Sequence, residues 1–292
     1  MMNLAKKLKA KPITKEVYSN LKETIRSTNL IPKLVIIILG NDPAAVYYMN
    51  NLKKKGEKIG VSVKILRFST KMSQSELISK IKGLNQDNEV HAIMLQKPLP
   101  KQIKESEIVK TIVPEKDVDG FHPMNMGKLV LDQDSFLPST SAAVLKILDF
   151  YDIPTEGKRI TILGRSNIVG KPLANLLLRK NKTGNATVTV CHSHSQEVEK
   201  IIKESDVLIA AIGKANYVKK EMIPNGITII DVGINQVKNS EGKDKYVGDV
   251  DFFNCQEKAA QITPVPGGVG SVTTAMLLGN VVKAALEIKK NR

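Results

Sequence analysis

The chain has 292 residues, of which 42% are hydrophobic, 25% charged and only 4% aromatic, a composition suited to one large or two medium globular domains. Forty-four basic residues against 29 acidic ones give a formal net charge of +15, but the lysines are scattered without an aromatic-interleaved stripe, so anionic metabolites fit better than nucleic acid. Two cysteines and four histidines give neither a disulfide framework nor a zinc spacing, and the apolar runs fall short of the ~20 residues of a membrane span. The basic start "MMNLAKKLKAKPITKE" lacks the apolar core of a secretory signal, so a cytoplasmic protein without metal or membrane partner is expected.

In chain order, "KLVIIILG" (33–40) reads as a buried strand, followed by a helix from about Ala44 to Ile59. "VSVKILRF" (61–68) is a second strand, "SQSELISKIKGLN" (73–85) a helix and "VHAIMLQ" (90–96) a third strand. This βαβαβ order predicts parallel strands with covering helices. After the loop-rich "VPEKDVDGFHPMNMGKL" (113–129), "LPSTSAAVLKILDFY" (137–151) reads as a loop feeding a helix, with Ser139, Thr140 or Ser141 as its cap. A second alternating series starts at "KRITILG" (158–164): helix "KPLANLLLRKN", strand "ATVTVCH", helix "SQEVEKIIKES", then strands "DVLIAAIG" and "GITIIDVG". An amphipathic helix of about 18 residues closes the chain after "ITPVPGGVGS". The expectation is an α/β fold in two α/β domains, the second inserted into the first and the last helix returning to the first.

"TILGRSNIVGKP" (161–172) has the context of a phosphate-binding turn: a buried strand ends at Gly164 and a helix starts near Val169. Gly164 permits close backbone approach, Ser166 adds a hydroxyl, and Gly170 permits close helix–strand packing. The spacing is not G-x-G-x-x-G, so the turn alone also fits an ordinary strand–helix junction. The following strand end, "TVTVCHSHS", carries no acid to hold a ribose diol, whereas Arg165, His192, Ser193, His194 and Ser195 suit a 2′-phosphate. NADP is therefore the expected cofactor. In the first half, Tyr48 reads as a core or interface aromatic, Gln96 as a strand-end residue at a position that often touches ligand, and Asp117 or Asp119 as loop caps.

Together, "GNDPAAVYYMNNLKKKGEKIG" (40–60), "QKPLP" (96–100), "PEKDVDGFHPMNMGKL" (114–129), "GRSNIVGKPLANLLL" (164–178), "DVGIN" (231–235), "VGDVDF" (247–252) and "TPVPGGVGSVTTAML" (263–277) resemble the bifunctional methylenetetrahydrofolate dehydrogenase/methenyltetrahydrofolate cyclohydrolase family over almost the whole chain. The resemblance implies a folate cleft between a catalytic domain (1–139 and 272–292) and a Rossmann-like NADP-binding domain (140–271), usually in a homodimer. It implies NADP-dependent oxidation of 5,10-methylenetetrahydrofolate to the methenyl compound and hydrolysis of that compound to 10-formyltetrahydrofolate. Tyr48, Gln96 and Asp119 would be catalytic and bind folate, Asp119 at the pteridine edge. Pro266, Gly267 and Gly268 would also approach the folate, and Gly164, Arg165, Ser166 and Ile234 would contact NADP.

The chain departs from that pattern at several positions. Where the family carries a lysine four residues after the tyrosine, this chain has Leu52, so weakened hydrolysis with retained dehydrogenation is expected. Lys97 follows the glutamine in place of the usual leucine and reads as a displaced ammonium or a solvent-exposed lysine. Ser271 replaces a proline and reads as a cap of the last helix, and His194 stands where many relatives carry an arginine. A noncatalytic folate- or dinucleotide-binding regulator is the alternative class, encouraged by Leu52; it would bind folate without reducing NADP.

Overall fold

The computed structural model describes residues 4–238 and 242–290. It divides into two compact units, one built from the residues up to Lys15 with Thr140–Thr273, the other from Glu16–Ser139 with the chain from Thr274 onward. In chain order the strands are β1 (Lys6–Lys7), β2 (Lys33–Leu39), β3 (Ser62–Phe68), β4 (Ala92–Leu95), β5 (Arg159–Leu163), β6 (Thr187–Cys191), β7 (Val207–Ala210), β8 (Thr228–Asp231), β9 (Asn235–Lys238), β10 (Asp244–Val247) and β11 (Gln261–Ile262). The helices are α1 (Ala10–Thr28), α2 (Pro43–Ile59), α3 (Gln74–Gln86), α4 (Glu105–Thr111), α5 (Pro123–Val130), α6 (Ser139–Phe150), α7 (Gly170–Leu178), α8 (Val198–Lys203), α9 (Phe252–Cys255) and α10 (Val269–Lys290).

The unit holding β2 is a three-stranded parallel sheet in the order β3-β2-β4. Successive side chains of a strand point to opposite faces, and β2 shows why its sequence is a continuous apolar run. Leu34, Ile36 and Ile38 enter one core with Ala45, Met49, Leu52 and Ile59 of α2 and Leu277, Leu278, Val281 and Val282 of α10. Val35, Ile37 and Leu39 enter the other with Leu77 and Ile81 of α3 and Ile108 of α4. By length and hydropathy α10 would suffice to cross a membrane, yet its apolar face is the core of this sheet. Asp42 caps α2, accepting from the Ala45 amide at 2.8 Å, and left-handed Gly60 ends it.

The other unit is a six-stranded parallel sheet in the order β1-β11-β8-β7-β5-β6. The chain steps from β5 outward to β6 and then crosses back to β7 on the other side of β5. That reversal creates a switch point at the carboxyl ends of β5, β6 and β7, where such sheets take their ligands. The sequence reading placed residues 1–139 in the first domain; here the residues up to Lys15 lie in the six-stranded unit, because β1 pairs Lys6 with Gln261 and Lys7 with Ile262.

Differences from the sequence reading are local. Helix α6 begins at Ser139 itself, and the Ser141 hydroxyl donates to the Val169 carbonyl at 3.2 Å. Helix α10 begins at Val269, so Ser271 lies inside its first turn, its amide bonded to the Gly268 carbonyl, and does not cap it. Helix α1, the two-residue strands β1 and β11, and the β9–β10 hairpin were not foreseen.

Candidate active site

At the switch point a pocket of about 300 Å³ is lined by Gly164, Arg165 and Ser166 after β5, Cys191, His192 and Ser193 after β6, and Ala211, Ile212, Lys214 and Tyr217 after β7. The two glycines of the opening turn are fixed by their surroundings. Gly164 has φ +121°, and a Cβ there would strike the Ala211 carbonyl oxygen; a Cβ on Gly170 would strike the Gly164 carbonyl oxygen. The chain therefore folds back on itself so closely that α7 starts against the end of β5. Ser166 accepts the Val169 amide at 3.1 Å, which shapes the turn.

Arg165 and Lys214 give this rim its positive charge, and two histidines stand beside them. The His192 imidazole is held below its usual pKa by burial, and then by the charges of Arg165 and His194 beside it. The histidine rings lie 6.2 Å apart, the His194 amide donates to His192 Nδ1 at 3.2 Å, and the Ser195 hydroxyl accepts the His192 amide at 3.0 Å. Ile234 is 60% exposed, an apolar side chain left open, with Gly270 close enough that a Cβ there would stand 3.0 Å from it. Lys214 and Tyr217 were missed by sequence reasoning because the "AIGKANY" loop has no charge pattern of its own.

In the other unit the structure brings Tyr48, Gln96 and Asp119 into one region. Asp117 and Asp119 have different fates. The Asp117 carboxylate accepts the His122 amide at 2.7 Å and Asn125 Nδ2 at 2.9 Å, and residue 117 bridges to Ile93 of the β4 edge. It is the brace of the loop. Asn280 of α10 adds bonds to the Val118 and Leu137 carbonyls at 2.8 and 3.0 Å. Gly120 takes φ +72° against the Phe136 carbonyl oxygen, so the chain can turn there.

Asp119 is left for something else. Burial, with the Asp117 charge adding to it, pushes its carboxyl up to about 7, opposed by the Lys97 ammonium and by a hydrogen bond from the Leu95 amide. The Tyr48 hydroxyl is raised well above its usual range by burial and then by Asp119, while a hydrogen bond with Thr274 opposes this. Tyr18 of α1 lies nearby, its buried hydroxyl pushed up to about 12 by burial. Gln96 donates through Nε2 to the Lys97 carbonyl at 2.7 Å, but its buried Oε1 has no hydrogen-bond partner among the described residues. An acceptor so placed awaits a donor.

Leu52 is fully buried in the α2–β2 core. Lys53 pairs with Glu57 at 3.8 Å, and Lys54 is exposed. Lys97 is not a free solvent lysine: Nζ lies 2.5 Å from Glu105 and 4.7 Å from the Phe121 ring centroid, and its charge is felt at Asp119. In the "PVPGG" loop of the other unit, the Val265–Pro266 bond is cis, Pro266 and Gly267 are exposed, and Gly267 has φ +99° with open space around it. Gly268 is buried, and a Cβ there would meet the Pro264 carbonyl oxygen.

A parallel sheet with a glycine turn and cationic rim at its switch point, accompanied by a second α/β unit with a half-buried carboxyl group of raised pKa, defines a nucleotide-dependent α/β enzyme. Residues 138–289 match the tetrahydrofolate dehydrogenase/cyclohydrolase NAD(P)-binding domain and residues 8–119 the catalytic domain of the same name. The chain belongs to the tetrahydrofolate dehydrogenase/cyclohydrolase family. The bifunctional protein FolD of Chloroherpeton thalassium is 45% identical over 285 residues, covering 95% of this chain and 97% of that one. The structure of the bifunctional FolD methylenetetrahydrofolate dehydrogenase/cyclohydrolase from Campylobacter jejuni is 39% identical, covers 96% and 98% of the two chains and superposes with a TM-score of 0.90. A Trypanosoma brucei dehydrogenase-cyclohydrolase complexed with NADP and an inhibitor is 32% identical, covers 99% of each chain and gives a TM-score of 0.91.

Proposed function

We propose that this chain oxidises 5,10-methylenetetrahydrofolate with NADP and hydrolyses the methenyl product to 10-formyltetrahydrofolate, the hydrolysis being the slower activity. The observation that carries the reading is the half-buried group of Tyr48, Gln96 and Asp119, with a Gln96 Oε1 that has no partner among the described residues and a carboxyl group that does not brace the loop. As a carboxylate, Asp119 accepts the paired N–H donors of an aminopyrimidinone edge. Tyr48 offers its ring for the pterin to pack on. Pro266, Gly267 and Gly268 are assigned to the folate as well, on the resemblance and on the openness of Gly267.

The residues around the switch-point pocket fit a dinucleotide phosphate. Gly164 and Gly170 let backbone amides approach it, Ser166 holds the turn, and Arg165 with His192 and His194 suits a 2′-phosphate. Ile234 offers an apolar contact. When bound, NADP supplies a hydride acceptor, so the protein's task in oxidation is alignment and exclusion of water. Hydrolysis asks more of the side chains. Water adds to the cationic methenyl carbon, one ring C–N bond opens, one of the water's protons passes to the freed nitrogen and the other leaves to solvent. Gln96 Oε1 can accept from that water, but buried Leu52 supplies no ammonium and Lys97 is engaged with Glu105. A cytoplasmic homodimer is part of the same reading.

Purified protein given methylenetetrahydrofolate and each nicotinamide separately tests the reading, with reduced nicotinamide, methenyl and formyl products followed together. NADPH should form with the methenyl compound, faster than NADH, and the formyl compound should lag. Folate binding without reduction of either nicotinamide would establish the regulator instead. Sedimentation of the purified chain checks the dimer.

A further inference from the structure

The segments "DVGIN" and "VGDVDF" hold no residue of the folate group, yet they interlock around two buried carboxylates. Asp231 ends β8 and is 2% exposed; Asp249 is fully buried. Asp231 Oδ1 accepts the amides of Gly233 and Asp249, each at 3.0 Å, and its Oδ2 accepts the Val250 amide at 3.0 Å. Asp249 Oδ2 accepts the amides of Ile212 at 2.7 Å and Gly213 at 2.9 Å. Its Oδ1 accepts the Lys214 amide at 2.8 Å and Asn235 Nδ2 at 2.9 Å. The glycines of both segments are required for this fit: a Cβ on Gly233 would strike the Asp249 carboxylate, and one on Gly248 the Asp231 carboxylate.

Three of the four donors to Asp249 belong to one short stretch, 212–214, and that stretch lines the switch-point pocket through Ile212 and Lys214. The fourth, Asn235, immediately follows Ile234. Backbone bonds continue the attachment: the Asn216 amide donates to the Gly248 carbonyl at 3.0 Å and the Val218 amide to the Asp249 carbonyl at 2.9 Å. The stretch follows β7 directly, and one side chain gathers its three amides.

We propose that Asp249 is a positioning residue for the dinucleotide, its carboxylate fixing the 212–214 wall of the pocket and the Ile234–Asn235 segment as one piece, with Asp231 fixing Asp249 in turn. Neither carboxylate touches the ligand. The proposal rests on the reading of the pocket as the NADP site. It differs from simple fold stabilisation, because it requires the folded variant to bind dinucleotide more weakly while folate handling stays unchanged.

Asp249→Asn keeps the size but turns one acceptor into a donor facing backbone N–H groups. NADPH affinity is read by fluorescence titration of the full-length protein without folate, with circular dichroism to confirm the fold. The Kd should rise about tenfold, the effect of losing one or two bonds to a charged group, with the folate KM unchanged. A rise of less than about threefold, or a folate KM that moves in step, overturns the assignment. Should this variant fail to fold, Asn235→Ala decides alone: a Kd rise of about threefold or more supports the proposal and a smaller one overturns it. Wild-type protein that binds NADPH but does not oxidise folate would refute the proposed activity and leave this comparison intact. A wild type that does not bind NADPH refutes both.

Discussion

The switch-point pocket and the Asp119 region solve the problem of binding a charged ligand in opposite ways. The pocket after β5 is built from backbone and from exposed side chains, with Arg165 and Lys214 both open to solvent and the glycine geometry doing the selecting. The other region is built from half-buried side chains whose protonation the surroundings control, with the Asp119 carboxyl pushed up to about 7 by desolvation. Shape decides recognition in the first, and ionisation state decides it in the second. The two should therefore fail differently when altered.

The largest effect is expected from Asp119→Ala. Loss of a half-buried acceptor should lower kcat/KM for methylenetetrahydrofolate by about 100- to 1,000-fold, with NADPH affinity in fluorescence titration unchanged. Gly164→Ala should do the reverse. A Cβ at φ +121° against the Ala211 carbonyl should weaken NADPH binding by about 10- to 100-fold and leave the folate KM alone. A variant of either kind that damages both affinities would break the comparison.

Leu52→Lys sharpens it within the folate unit. Placing an ammonium at a fully buried position should cost about 3 kcal/mol of stability, seen as a lower Tm, while raising hydrolysis relative to oxidation by about tenfold. Unchanged hydrolysis in a folded variant would remove position 52 from the account. The smallest effect is expected as a shift in the midpoint of the pH profile. Folate kcat/KM should fall by about tenfold per unit below the Asp119 pKa of about 7, because the protonated acid cannot accept the pterin donors. The groups around Asp119 are Asp117, Tyr48 and Lys97, and Lys97 alone lowers its pKa by charge. Lys97→Met should therefore move the midpoint of the profile upward. A downward or absent shift would dismiss Lys97 as a partner of the site.

Much of this was legible in the residues, for identifiable reasons. The run at 33–39 announced a strand buried on both faces, and Gly164 and Gly170 announced a close turn whose crowding the structure explains. Other parts were not legible because their causes are distant in sequence. Strands β1 and β11 have two residues each and exist through pairing across some 250 residues, so no local period marks them. Helix α1 carries a sparse apolar stripe, Ile13, Tyr18, Leu21 and Ile25, with Pro12 near its start. "KDVDG" offers two equivalent acids; only the bridge from residue 117 to Ile93 and its bond from His122 decide that Asp117 braces the loop and Asp119 is left over. Nothing local marks Asp249, since its four donors lie 14 to 37 positions away.

Both units are assembled from two separated stretches of chain, and this orders events during synthesis. As the polypeptide leaves the ribosome, strands β2, β3 and β4 emerge well before Leu277, Leu278, Val281 and Val282, which cover one side of them and are made only after β5 to β11. Until α10 is made, the nascent sheet keeps one oily face without that cover.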